Sequence, residues 1–123
     1  VIIVDTSVWI DHFRSGDAAL AELLEKGEVL MHPWVTGELA LGNFRQRTST
    51  LELLSSLPQA RVAHLDQVLA MIEHEKLHGL GIGLVDAQIL ASTTSQPGTR
   101  LWTRDRRLAE IVRRLGVRFE VTA

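Results

Sequence analysis

Val1-Ile2-Ile3-Val4-Asp5-Thr6-Ser7 opens the chain, and its reading decides the fold. Consecutive apolar residues rich in β-branched side chains suit a strand covered on both faces, as in a parallel sheet packed by helices. Asp5 closes that run. In open α/β sheets ligands bind beyond the carboxyl ends of the strands, so an acid at this point stands where a site forms.

Working outward, Val29-Leu30-Met31 and Leu101-Trp102 read as further short buried strands. Arg61-Val62-Ala63 reads as a brief strand, and residues 117–121 as a last one with alternating character. Helices are expected between them. The first covers residues 7–13 with Thr6 or Ser7 as its cap, and the second is capped by Asp17 and stopped near Gly27. A third opens at Pro33 and runs to about Phe44, and a fourth apolar segment ends at Pro58. Residues 65–77, 84–94 and 105–115 complete the set, with Gly116 as the final stop. Alternating strands and helices of this kind predict an α/β sandwich with a short, mostly parallel sheet.

With 123 residues, 46% of them hydrophobic, the chain is expected to be a single domain over residues 1–123 with one core. No cysteine is present, which excludes a disulfide framework, a thiolate zinc site and a cysteine nucleophile, and agrees with a reducing cytoplasm. The apolar start is too short to span a membrane and lacks the basic flank of a signal peptide. A chain beginning at Val1 is expected to have lost at least one residue. The net charge of −2 is neutral on partners, but its distribution is not. Arg100, Arg104, Arg106, Arg107, Arg113, Arg114 and Arg118 crowd the last quarter, and arginine forks match phosphate geometry. Arg113 and Arg114 read as a solvated helix face.

Asp5, Glu38, Asp86 and Asp105 are isolated acids in apolar contexts, spread along the chain. On a helix Glu38 has Trp34, Val35, Leu41 and Gly42 as its neighbours, so its carboxylate emerges from a face of core residues, where an unpaired charge is costly. An ion pair with a distant arginine is the competing account of Glu38. For Asp86 and Asp105 the competing account is helix capping. Asp105 nevertheless follows a strand at the same sheet end as Asp5, and Asp86 shares its turn with Ile89 and Leu90. Together the acids suggest a magnesium or manganese site, because these cations prefer oxygen ligands and can activate water against a phosphodiester. Thr6, Ser7 and Thr103 flank the acids as donors that orient a carboxylate. Other chemistries lack their signatures. The glycine run of residues 79–83 follows no strand and reads as a hinge or helix stop, His74 and His78 have no third ligand, and there is no Walker lysine motif or GxSxG.

Val4-Asp5-Thr6-Ser7 after a strand, Glu38-Leu39 with Gly42, Asp86-Ala87-Gln88-Ile89-Leu90-Ala91, and Thr103-Arg104-Asp105 after a late strand together resemble the PIN-domain ribonucleases, in particular the VapC-type toxins of bacterial toxin-antitoxin pairs. The resemblance covers nearly the whole chain in order. It implies a Rossmann-like α/β/α sandwich, a Mg2+- or Mn2+-dependent endoribonuclease, a homodimer, and a VapB-type antitoxin that blocks the site. It places Asp5, Glu38, Asp86 and Asp105 on the family's metal ligands, and Ser7 and Thr103 on its polar support positions. Some relatives carry an Asn at the position of Asp105 and an acid three residues later, where this chain has Leu108, so Asp105 acts alone at that corner. Two alternatives remain beside this reading: a PIN-like scaffold that binds RNA or protein without cutting, and a metal-dependent phosphohydrolase. The latter usually wants a late lysine, and none lies beyond Lys76. An apolar surface from residues 18–24 and 51–57 is expected to be left over for the antitoxin.

Overall fold

The structure, a computed structural model, describes residues 1–122. Among them are three strands, β1 (Ile2–Val4), β2 (Val29–Leu30) and β3 (Arg100–Trp102), and seven helices. The helices are α1 (Thr6–Ser15), α2 (Ala18–Glu25), α3 (Pro33–Ala40), α4 (Arg47–Ser56), α5 (Leu65–His74), α6 (Leu84–Thr94) and α7 (Arg106–Arg114). All strand pairing is parallel, in the order β2-β1-β3. The opening stretch is therefore the central strand, and its three residues are buried, as two-sided coverage requires. Ile3, Val8, Leu20, Met31, Ile89, Leu90, Leu101 and Leu108 fill the core with no exposed surface.

This connectivity carries a consequence for function. α1 leaves β1 at Asp5, α3 leaves the β2 segment at His32, and α7 leaves β3 at Asp105. Their N-termini thus gather at the carboxyl edge of the sheet, where the partial positive charge of each helix end favours acids. Among the described residues no helix is long and apolar enough to cross a membrane.

Four local expectations change. The cap of α1 is Asp5, one or two residues earlier than the expected Thr6 or Ser7, and its side chain bonds no helix N–H, because it is engaged by hydroxyls described below. α3 stops at Ala40, short of Phe44; Leu41 closes it and is 91% exposed. Residues 61–63 make no strand, since the backbone of Ala63 pairs with the side chain of Gln88 and the only ladder contact near them is the Met31–Gln59 bridge. Residues 117–121 likewise contribute one bridge, Leu101–Arg118, and no strand.

Candidate active site

Asp5 is 4% exposed at the end of the central strand. Two hydroxyls hold it: Ser7 Oγ and Thr103 Oγ1 each donate to Oδ2 at 2.8 Å. Both choose the same oxygen, so Oδ1 accepts from no donor among the described residues and keeps its lone pairs. The hydroxyls are themselves fixed, because Arg104 N–H donates to Ser7 Oγ at 3.0 Å and Asp105 N–H to Thr103 Oγ1 at 3.0 Å. The first turn after β3 is thereby tied to the first turn after β1.

Glu38 sits on α3 and is exposed, which corrects the expectation that it emerges from a core face: of its helical neighbours Val35 is buried, but Leu41 is not. No arginine reaches it. Its partner is Thr6, whose Oγ1 donates to Oε1 at 2.6 Å, so α1 steers a carboxylate of α3 toward the strand end. Asp86 is half-buried in the first turn of α6, where Oδ2 accepts from Gly83 N–H at 3.2 Å. Asp105 is exposed and caps α7 through Leu108 N–H at 2.9 Å. Capping is thus present at both acids, and it leaves the second oxygen of each to point elsewhere.

The acids also feel one another. Burial pushes Asp86 up from 3.8 to about 6, with Asp5, Asp105 and Glu38 each adding repulsion. Four carboxylates from four separate segments therefore share one electrostatic neighbourhood. Their donor set is all oxygen and strongly negative, which fits a magnesium or manganese ion. Among the described residues no three His, Asp or Glu side chains are already gathered as a ready metal cage, so the fit rests on donor chemistry and shared field.

Two features were missed in the sequence. Arg104 pairs with Asp11 at 2.7 Å and with Asp17, and its guanidinium lies 5.3 Å from the Trp102 ring. This arginine next to the acids is thus neutralised by other carboxylates, and Asp17 is held below its usual range chiefly by the Arg104 hydrogen bond. The second is a buried polar network behind the site. Trp34 N–H donates to His32 Nδ1 at 3.0 Å, so the proton sits on Nε2, which donates to Ser92 Oγ at 2.9 Å. Ser92 in turn donates to Arg61 O at 2.8 Å, while Gln88 exchanges two hydrogen bonds with Ala63, at 2.7 and 3.0 Å. Burial pulls His32 down from 6.5 to about 4, against the opposing pull of Gln88, which keeps the ring neutral. The available signal was Gln88 and Ser92, four apart among the apolar and small residues of the helix beyond Asp86.

A short parallel sheet with helices on its faces, and acids and hydroxyls converging at its carboxyl edge, defines an α/β protein with an oxygen-donor site. The chain belongs to the PIN-domain family, whose model, described as PIN domain, matches residues 2–114. Its sequence is 48% identical over 117 residues to Ribonuclease VapC32 of Mycobacterium tuberculosis, in strain CDC 1551 / Oshkosh and in strain ATCC 25618 / H37Rv alike, covering 95% of this chain and 94% of the relative. The fold is similar to the crystal structure of PAE2754 from Pyrobaculum aerophilum, with a TM-score of 0.61 and 18% identity over 94% of each chain.

Proposed function

We propose that the protein is a Mg2+- or Mn2+-dependent endoribonuclease toxin that cuts RNA phosphodiesters with water, held in check by a cognate VapB-type antitoxin. The observation that carries this reading is the held Asp5: two hydroxyls on Oδ2, an unengaged Oδ1, and three further acids near enough to act on one another. The name of the VapC32 relatives, ribonuclease, supports RNA as the substrate. A bound divalent cation supplies charge stabilisation for the phosphodiester and lowers the pKa of water.

The protein's own residues prepare that chemistry. Ser7 and Thr103 fix the rotamer of Asp5, so that its other oxygen faces the sheet edge without a search over conformers. Thr6 does the same for Glu38 from the adjacent turn. Asp86, raised to about 6 chiefly by burial, exchanges a proton close to neutral pH and suits the handling of a proton from water. Asp105 contributes field and caps its helix. We take residues 1–123 as one domain that acts as a homodimer in the cytoplasm.

Support for the antitoxin comes from the surface where α1, α2 and α4 meet. A groove of about 300 Å³ is lined by Trp9, Phe13, Leu24, Leu53 and Leu57, and Leu53 is 68% exposed. Leu20 and Leu23 pack inward, so α4 supplies most of this apolar surface.

Incubation of a generic RNA with the parent protein and its Asp5→Asn variant, with magnesium, with manganese and with chelator, tests the reading. Cleavage that needs the cation and is lost in the folded variant is expected; metal-independent cleavage, or none under any condition, overturns it.

A further inference from the structure

The acidic corner explains how RNA is cut but not what holds a polyanion against four negative charges. From the residue after Asp105 a cleft of about 650 Å³ runs along the length of α7 against the glycine loop before α6, lined by Leu80, Arg106, Arg107, Glu110, Ile111 and Arg114. Its walls belong to the same two segments that carry Asp105 and Asp86. The state of its charges bears on what it can hold. Glu110 is paired with Arg113, outside the cleft. Arg107 donates to Gly81 O at 3.4 Å and Arg114 to Glu75 O at 2.7 Å, and backbone carbonyls orient a guanidinium without cancelling its charge. Among the described residues neither these two nor Arg106 forms a salt bridge, whereas Arg104, Arg113 and Arg118 all do.

The glycine loop is shaped to this arrangement. Gly81 has φ of +82°, and a Cβ there would meet Arg107 Nη1 at 2.5 Å and Cζ at 2.9 Å. Only glycine gives both the turn and the seat for the guanidinium. Along α7 the helical rise puts Arg107 and Arg114 about 10 Å apart, with Leu80 and Ile111 offering apolar surface between the charges. A positive groove that tracks a backbone is how single-stranded nucleic acids are held without regard to sequence.

We infer that Arg106, Arg107 and Arg114 form a phosphate-binding rail that takes the RNA backbone as it leaves the acidic corner, with Gly81 as the seat of Arg107. The assignment rests on the reading of that corner as the place where RNA is cut, and it supplies the attraction the corner lacks. An acidic peptide is the competing occupant of such a cleft.

The test is fluorescence anisotropy of a labelled oligouridylate in chelator, across a salt series, where no cutting occurs. Each of Arg106→Gln, Arg107→Gln and Arg114→Gln is expected to lower the slope of log affinity against log salt by about 0.7. The triple variant is expected to bind at least tenfold more weakly at low salt. Gly81→Ala should lower the slope in the same direction as Arg107→Gln with the arginine still present, and Lys26→Gln, whose charge is paired with Glu22 away from the cleft, should match the parent. A folded triple variant with the parent slope overturns the rail, as does polyglutamate that displaces the oligonucleotide from the parent and binds more tightly. Asp5→Asn, put through this binding assay and through a separate cleavage assay with magnesium, separates the two ideas: retained binding without cleavage supports both, whereas retained cleavage breaks the reading of the corner while the binding slopes still decide the rail.

Discussion

The two polar ends of α6 are built on opposite principles. At its first turn Asp86 lies half-open among three other acids, and the cluster stays mutually repulsive. Within the next two turns Gln88 and Ser92 are buried with His32, and each of their donors meets an acceptor in the backbone of residues 61–63 or in one another. Buried polar groups cost little when satisfied and much when not. The closed, neutral network therefore holds α3 and α6 together, and that rigidity lets the acid cluster persist at a cost in stability. In this molecule the proposed site is repulsive, and the network behind it is saturated.

The sharpest way to break the comparison is Asp5→Asn. It keeps shape while removing charge, so RNA cleavage is expected to fall more than about 100-fold, beyond the loss typical of supporting residues. The melting temperature should hold or rise as repulsion is relieved. A folded variant cutting at the parent rate would falsify the mechanism.

Gln88→Ala should behave in the reverse manner. It strands both the N–H and the C=O of Ala63, and a stability loss of about 2–4 kcal/mol is expected in denaturant unfolding, with cleavage per folded molecule near that of the parent. Parent-like unfolding would mean that the network is not closed. Thr103→Val removes one of the two donors to Asp5 Oδ2, and a 10- to 100-fold fall in cleavage is expected, measured beside an unchanged far-UV spectrum.

Acid titration distinguishes the two ends by sign. His32 is depressed from 6.5 to about 4, so its contribution to stability is complete above pH 6.5 and is lost as pH falls through that window. Asp86 is raised from 3.8 to about 6, so its contribution favours folding below pH 3.8 and is lost as pH rises through 6. In chelator the two oppose each other between about pH 4 and 6. Asp86→Asn should expose the histidine slope, and its stability relative to the parent should drop by about 1–2 kcal/mol on going from pH 6 to pH 4, once partial exposure is allowed for. Parallel melting-temperature profiles for the two proteins would remove the electrostatic coupling. The smallest effect is expected at Asp105→Asn, which keeps an equivalent cap and should leave stability within about 0.5 kcal/mol; a larger loss in thermal melts would show that the charge, rather than the cap, holds α7.

Residue type and local order determined a good deal here. The buried run ending at Asp5, the cap at Asp17 and the helix of residues 84–94 were legible because each depends on neighbours in sequence: hydrophobic continuity, a side chain reaching a nearby N–H, a small-residue face. The acids were legible as candidates because a charge among apolar residues needs a reason. Tertiary structure alone decided the rest. Whether Glu38 met an arginine or a threonine depended on which turn lies beside α3, and that is set by the β2-β1-β3 order. Residues 61–63 had the apolar character of a strand, but Gln88 competed for the same backbone groups from 25 positions away. Arg104 and Arg107 look alike in sequence, yet one is neutralised by Asp11 and Asp17 and the other is not. Hydrogen bonds and charge pairs between distant segments have no local pattern, because their energy depends on separations that exist only after the chain has folded.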